Sequence, residues 1–111
     1  MDRTKVSIEY TATVKTCLNH IANYLRKQEI EVKPIVAAIL EEFEGKVSQF
    51  PSSCQVCPEL LKSGVGKYRE CNTAGGYRVL YSVEGSAVTV HAILSQRQDI
   101  QQLLFKRLIQ A

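Results

Sequence analysis

The sequence predicts an α+β domain, a small antiparallel sheet with an N-terminal helical hairpin packed on one face and a C-terminal helix. Three observations lead there. The hydrophobic period changes from two to that of a helix near Thr13, and returns to two after Gly66. Two amphipathic stripes of about four turns each are separated by a connection of ~5 residues, the signature of an antiparallel helix pair. Near the end, glycine-marked turns divide three runs rich in valine and tyrosine. At 111 residues the chain is the size of one domain, spanning 1–111, and a separate cofactor lobe is excluded.

In order, residues 4–10 alternate with Val6, Ile8 and Tyr10 on one side, a half-buried strand. From Thr13 to Gln28, Val14, Cys17, Leu18, Ile21, Ala22 and Leu25 form one apolar stripe, leaving Asn19, Asn23 and Arg26 to water. Pro34 suits the first turn of a second helix, because its missing N–H has no helical partner to lose there. Val36, Ile39, Leu40, Phe43, Val47 and Phe50 carry that helix to its stop at Pro51. Residues 51–66 are rich in Pro, Ser and Gly and read as an irregular connector with one helical turn around Glu59–Lys62. The three strands are Lys67–Asn72, Gly76–Val83 and Ala87–Leu94. Ser95 and Gln98 have capping-box spacing ahead of a last helix bearing Ile100, Leu103, Leu104 and Leu108.

Hydrophobic residues make up 45% and charged residues 23%, a globular composition too apolar for a disordered chain. The formal charge of +3 permits a polyanionic partner without identifying one. Its distribution says more: residues 62–111 hold seven Lys/Arg against three acids, whereas the first 61 residues are close to neutral. No run approaches the ~18 apolar residues of a membrane span, and Asp2, Arg3 and Lys5 interrupt any signal-peptide core. The expectation is a cytoplasmic protein with no membrane partner, whose four cysteines are thiols.

Strand parity then assigns faces. Tyr77, Val79, Tyr81 and Val83, with Val88, Val90, Ala92 and Leu94, are expected to meet the helices. The opposite, open face would carry Arg78, Leu80 and Ser82 beside Thr89, His91 and Ile93, joined by Lys67, Arg69 and Cys71 from the first of the three strands. Arg97 follows just beyond the last strand. Such a surface could hold phosphates.

The segment GGYRVLYSVEGSAVTVHAILSQRQDI, preceded by KYREC, resembles the RelE/ParE superfamily of toxins from bacterial type II toxin–antitoxin modules. The likeness covers nearly the whole chain. It implies one of two activities: RelE-like members cut mRNA in the ribosomal A site, ParE-like members inhibit DNA gyrase without being nucleases, and a cognate antitoxin neutralises both. For the ribonuclease, Arg78 of the YR dipeptide matches a phosphate-binding arginine, Arg69 a basic position on the preceding strand, and Arg97 a basic position after the last strand. Cys71 stands where a second basic residue belongs, and Leu103 where a catalytic tyrosine would be. Arginine holds its proton too firmly to act as a base, so His91 or Glu70 would have to move protons. The early helix LNHIANYL and the second helix ending in FP look more like the ParE branch. An inactive homologue acting only in its antitoxin complex is a third reading. The expectation taken first is growth arrest by ribosome-dependent mRNA cleavage, with gyrase inhibition as the alternative; the partners implied are an antitoxin and either ribosome with mRNA or gyrase, and no cofactor is implied.

The remaining signals have plainer explanations. Cys54 and Cys57 form CQVC, but no second ligand pair completes a zinc site and no thioredoxin-like context surrounds it, so free thiols in a connector are expected. A histidine central in a valine-rich strand is usually a hydrogen-bonded structural residue. Lys106 and Arg107 read as a solvated helix face. The apolar Leu80 and Ile93 are expected as antitoxin contacts on the open sheet face.

Overall fold

The computed structural model describes residues 6–73 and 75–95. The expected C-terminal helix, with Arg97, Leu103, Lys106 and Arg107, lies outside the described residues.

The elements are β1 (Ser7–Tyr10), α1 (Ala12–Lys27), α2 (Val32–Gln49), α3 (Pro58–Lys62), β2 (Arg69–Thr73), β3 (Tyr77–Glu84) and β4 (Ala87–Ser95). They build one four-stranded sheet in the order β1-β4-β3-β2. The fold class is α+β as the sequence predicts, with one refinement. β2, β3 and β4 form an antiparallel meander, but β1 pairs parallel to β4, so the sheet is mixed. Parallel neighbours need a crossover, and here the three helices and strands β2 and β3 lie between the two strands in the chain.

The helical stripes work as their spacing requires. Val14, Cys17, Ile21, Ala22 and Leu25 of α1 and Ile39, Phe43 and Val47 of α2 are buried, while Phe50, beyond the end of α2, is exposed. The α1–α2 turn is closed by Glu29 in the left-handed region and by Ile30 N–H donating to Leu25 O at 2.9 Å. Phe43 meets Tyr81 edge-on, ring centroids 5.4 Å apart, and the Tyr81 hydroxyl donates to Pro51 O at 2.9 Å. Both rings are fully buried, fixing α2 over the β3 face that carries Tyr81.

Two registers depart from the parity the sequence suggests. Leu80 pairs with Ala92 but Tyr81 with Val90, so His91 is the extra residue of a β-bulge. Beyond that bulge the alternation inverts: Ile93, opposite Val79, joins the helix-facing side, and Ala92 and Leu94, opposite Leu80 and Arg78, turn to the other. In β2, Cys71 pairs with Val79 and Arg69 with Tyr81, which places both on the helix-facing side, and it is Glu70 that shares a face with Arg78.

That second face is not open. The connector runs beside edge strand β2, where Val56 bridges Arg69 and Cys57 N–H donates to Tyr68 O at 2.8 Å, and α3 then folds back over the sheet. Cys57, Leu60, Tyr68, Leu80, Ala92 and Leu94 are all buried. Leu80 and Ile93, expected as antitoxin contacts, are therefore fully covered within the chain itself.

Candidate functional site

Arg78 is the centre of the most charged cluster in the described structure. β3 presents it on the α3 side of the sheet, where α3 brings Glu59 and the neighbouring strand brings Glu70. Its Nη1 donates to Glu70 Oε1 at 2.9 Å and its Nη2 to Glu59 Oε2 at 3.0 Å. The Arg78 side chain is 14% exposed and that of Glu70 only 4%. Gln55 Nε2 donates to the other Glu70 oxygen at 2.7 Å, which ties the connector into the same network. Burial disfavours the Arg78 charge, but the hydrogen bond and charge of Glu59 and the charge of Glu70 outweigh it and raise the guanidinium above its usual value. The hydrogen bond from Arg78 in turn holds Glu59 below the ordinary carboxylate range, against the opposing effect of its partial burial.

One guanidinium between two carboxylates leaves a local charge of minus one. An anionic phosphate is repelled there rather than gripped, and a phosphate that took Arg78 would strand Glu70 as a buried, unpaired carboxylate. Cys57, Glu59 and Glu70 also place ligand atoms within 4.8 Å of one another, the sort of set that could hold a metal ion. The cation those two carboxylates engage is Arg78.

Arg69, expected beside Arg78, is on the other side of the sheet, its Nη1 donating to Cys54 O at 2.6 Å. It buttresses the connector. His91 does lie on the α3 side, through its Nε2 contact of 2.8 Å with Ser82 Oγ and an edge-on contact with the Tyr68 ring at 5.0 Å. Ser82 is four residues along β3 from Arg78, about 13 Å at the rise of a strand. His91 is thus too distant to exchange a proton with anything Arg78 holds. Burial and, secondarily, Lys67 lower its basicity, so the neutral ring is favoured. Of the sequence-predicted set, the structure brings together Arg78 and Glu70 as a salt bridge, and it separates Arg69 and His91 from them.

Glu59 was missed as a partner because its segment reads as an irregular connector. The available signal was Arg78 itself: an arginine in the middle of an apolar strand needs a carboxylate, and only a few acids lie within reach in the sequence.

These groups give a stepwise acid dependence. The unfolded imidazole titrates near 6.5 and the folded one lower, so below about 6.5 the unfolded chain gains a proton that the folded chain resists, and stability falls as the pH drops. Glu59 has the same sign at lower pH: its contribution is present above 4.5, its ordinary value, and is lost as the pH falls through its depressed folded value. Urea midpoints between neutrality and acid pH should show both limbs, His91→Gln flattening the upper and Glu59→Gln the lower.

Residues 8–100 match the family described as "ParE toxin of type II toxin-antitoxin system, parDE". The chain belongs to this family. The protein is thus a type II toxin of the RelE/ParE superfamily. Among solved structures, the ParE-family chain is similar to a chain of the chromosomal ParDE system from P. aeruginosa, with a TM-score of 0.63, 16% identity, and 82% of this chain and 96% of that one covered. It is also similar to a chain of the RelBE2 toxin–antitoxin complex from Mycobacterium tuberculosis, with a TM-score of 0.58, 18% identity and coverage of 87% and 98%. At such identities the likeness is one of fold. No curated protein matches the sequence. Among the described residues, no helix is long and apolar enough to cross a membrane.

Proposed function

We propose that this toxin arrests growth as a non-enzymatic inhibitor of DNA gyrase and is neutralised by a cognate antitoxin. The observation that carries the reading is the closure of Arg78 by Glu59 and Glu70. A ribonuclease that stabilises extra negative charge on a phosphate needs cations aimed at open space, with a proton-transfer group within hydrogen-bond reach. Of the candidate site residues, those described are a neutralised arginine, a second arginine on the opposite side of the sheet, and a histidine turned toward Ser82 and Tyr68. The family match to ParE toxins supports inhibition by binding. The antitoxin partner is supported by the two similar solved structures, both from toxin–antitoxin systems.

A gyrase supercoiling assay run beside an mRNA cleavage assay on translating ribosomes tests the proposal. The expected outcome is loss of supercoiling with gyrase-linked broken DNA and intact mRNA. Cut mRNA with normal supercoiling overturns it in favour of the ribonuclease. Absence of both effects overturns it in favour of an inactive homologue.

A further inference from the structure

The CQVC motif suggests a pairing of Cys54 with Cys57, but the fold separates those thiols and brings Cys54 to a different cysteine. Cys57 N–H donates to Tyr68 O at 2.8 Å and Glu70 N–H to Gln55 O at 2.9 Å, bracketing the antiparallel bridge of Val56 with Arg69. That pattern makes Val56 and Arg69 a non-hydrogen-bonded pair. Continued by two residues, that alignment would set Cys54 against Cys71 at the next such position, and pairs of this kind have Cα atoms about 4.5 Å apart. A disulfide accepts Cα separations of about 4.4–6.8 Å. The Cys54 thiol lies near enough to bear on the titration of both the Cys71 thiol and the Tyr81 hydroxyl, which brings these three side chains together. Cys57 has the opposite parity, and its thiol donates to Glu59 Oε1 at 3.6 Å on the α3 side.

Exposure divides the labour between the pair. Cys54 is partly exposed, so a small oxidant reaches it, whereas Cys71 is fully buried. Burial above all, together with the neighbouring Cys54, pushes the Cys71 thiol up to about 12, so it stays protonated, and the same burial shuts out solvent-borne oxidants and leaves the neighbouring sulfur as its reaction partner.

We propose that Cys54 and Cys71 form a redox clasp, in which an oxidant of the peroxide class converts the two thiols to a disulfide that ties the connector to β2. The Cys54 sulfur attacks one peroxide oxygen and the O–O bond breaks. Cys54 becomes a sulfenic acid, and the departing hydroxide takes up the thiol proton as water. The Cys71 sulfur then attacks that sulfur, the S–O bond breaks, and the hydroxyl leaves with the Cys71 proton as a second water. Two thiols lose two electrons and two protons, and one hydrogen peroxide is reduced to two waters. Exchange with a thiol reductant reverses the step. The loop so closed contains α3 and Glu59, so oxidation locks the cover over Arg78 and leaves fewer open forms for a protease to find. The clasp is independent of the toxin's target.

The test is a peptide map of the full chain after treatment with hydrogen peroxide and alkylation of the remaining thiols. The expected result is an intact mass lower by two hydrogens, a single cross-link between the Cys54 and Cys71 peptides, slower proteolysis within residues 54–71, and full reversal by dithiothreitol. Cys54→Ser should abolish the cross-link. Because the wild-type map decides by itself, the test does not depend on any variant folding. A Cys54–Cys57 link, a link between chains, or Cys54 oxidised to sulfinic acid with Cys71 still alkylatable in the denatured protein overturns the proposal.

Discussion

Arg78→Ala should destabilise the fold by about 3–5 kcal/mol, the range seen when one partner of a buried ion pair is removed. The size follows from what remains. Glu70, 4% exposed, would be left with Gln55 Nε2 at 2.7 Å and the weaker 3.4 Å bond from Asn72 Nδ2, neither of them a cation. Glu59 contributes less to the loss, because its side chain is 35% exposed and water can replace the guanidinium. Removing both charges behaves differently: Arg78→Leu combined with Glu70→Leu should recover most of the loss, since it leaves no buried charge unpaired, only the part-exposed Glu59 and the Gln55 and Asn72 amides, which water can reach or side-chain rotation can satisfy. Urea denaturation of the two single variants and the double variant measures this coupling. Loss of toxicity in Arg78→Ala alone would therefore report on stability as much as on function.

Phe43→Ala should cost a similar amount, about 3–5 kcal/mol, for a different reason. Phe43 is fully buried against the edge of Tyr81, at the junction of α2 with the sheet. Truncation leaves a cavity between layers that cannot collapse, because Tyr81 is held from its far end by the bond to Pro51 O. Phe43→Leu keeps most of the volume and should cost less than about 1.5 kcal/mol. Thermal or urea unfolding of the pair distinguishes lost packing from a general intolerance of the position.

Both effects were partly legible in the sequence. The periodicity of α1 and α2 is decisive because each helix buries one stripe and wets the rest, so composition and geometry coincide. Phe43 was assigned to the core on those grounds, and Tyr81 on strand parity. The sheet is harder, since at Val79–Tyr81 and Ala92–Leu94 both of its faces are buried, one under α1 and α2, the other under α3 and Tyr68. Alternation of polar and apolar residues then carries no sidedness. Glu70 and Arg78 look solvated because they are charged, although Glu70 is buried and Arg78 partly so because they neutralise each other. The bulge at His91 leaves no mark in a run of Ala, Val, Ile and Leu, so Ile93, Ala92 and Leu94 were assigned to the wrong sides. Arg69 followed from a one-residue error in β2: the pairing of Thr73 with Tyr77 sets that register, and the length of the intervening turn is not fixed by its glycines alone. The cysteines show the same limit, because CQVC is adjacent in sequence whereas Cys54 and Cys71 are opposed only through the register of a connector.

Growth arrest by the Arg78→Leu/Glu70→Leu double variant, expressed without antitoxin, bears most directly on whether Arg78 holds the fold or holds a phosphate. If its role is the buried ion pair, the folded double variant arrests growth and blocks supercoiling as the wild type does. A double variant that folds with wild-type stability yet leaves growth unaffected would contradict that role and return Arg78 to the functional surface.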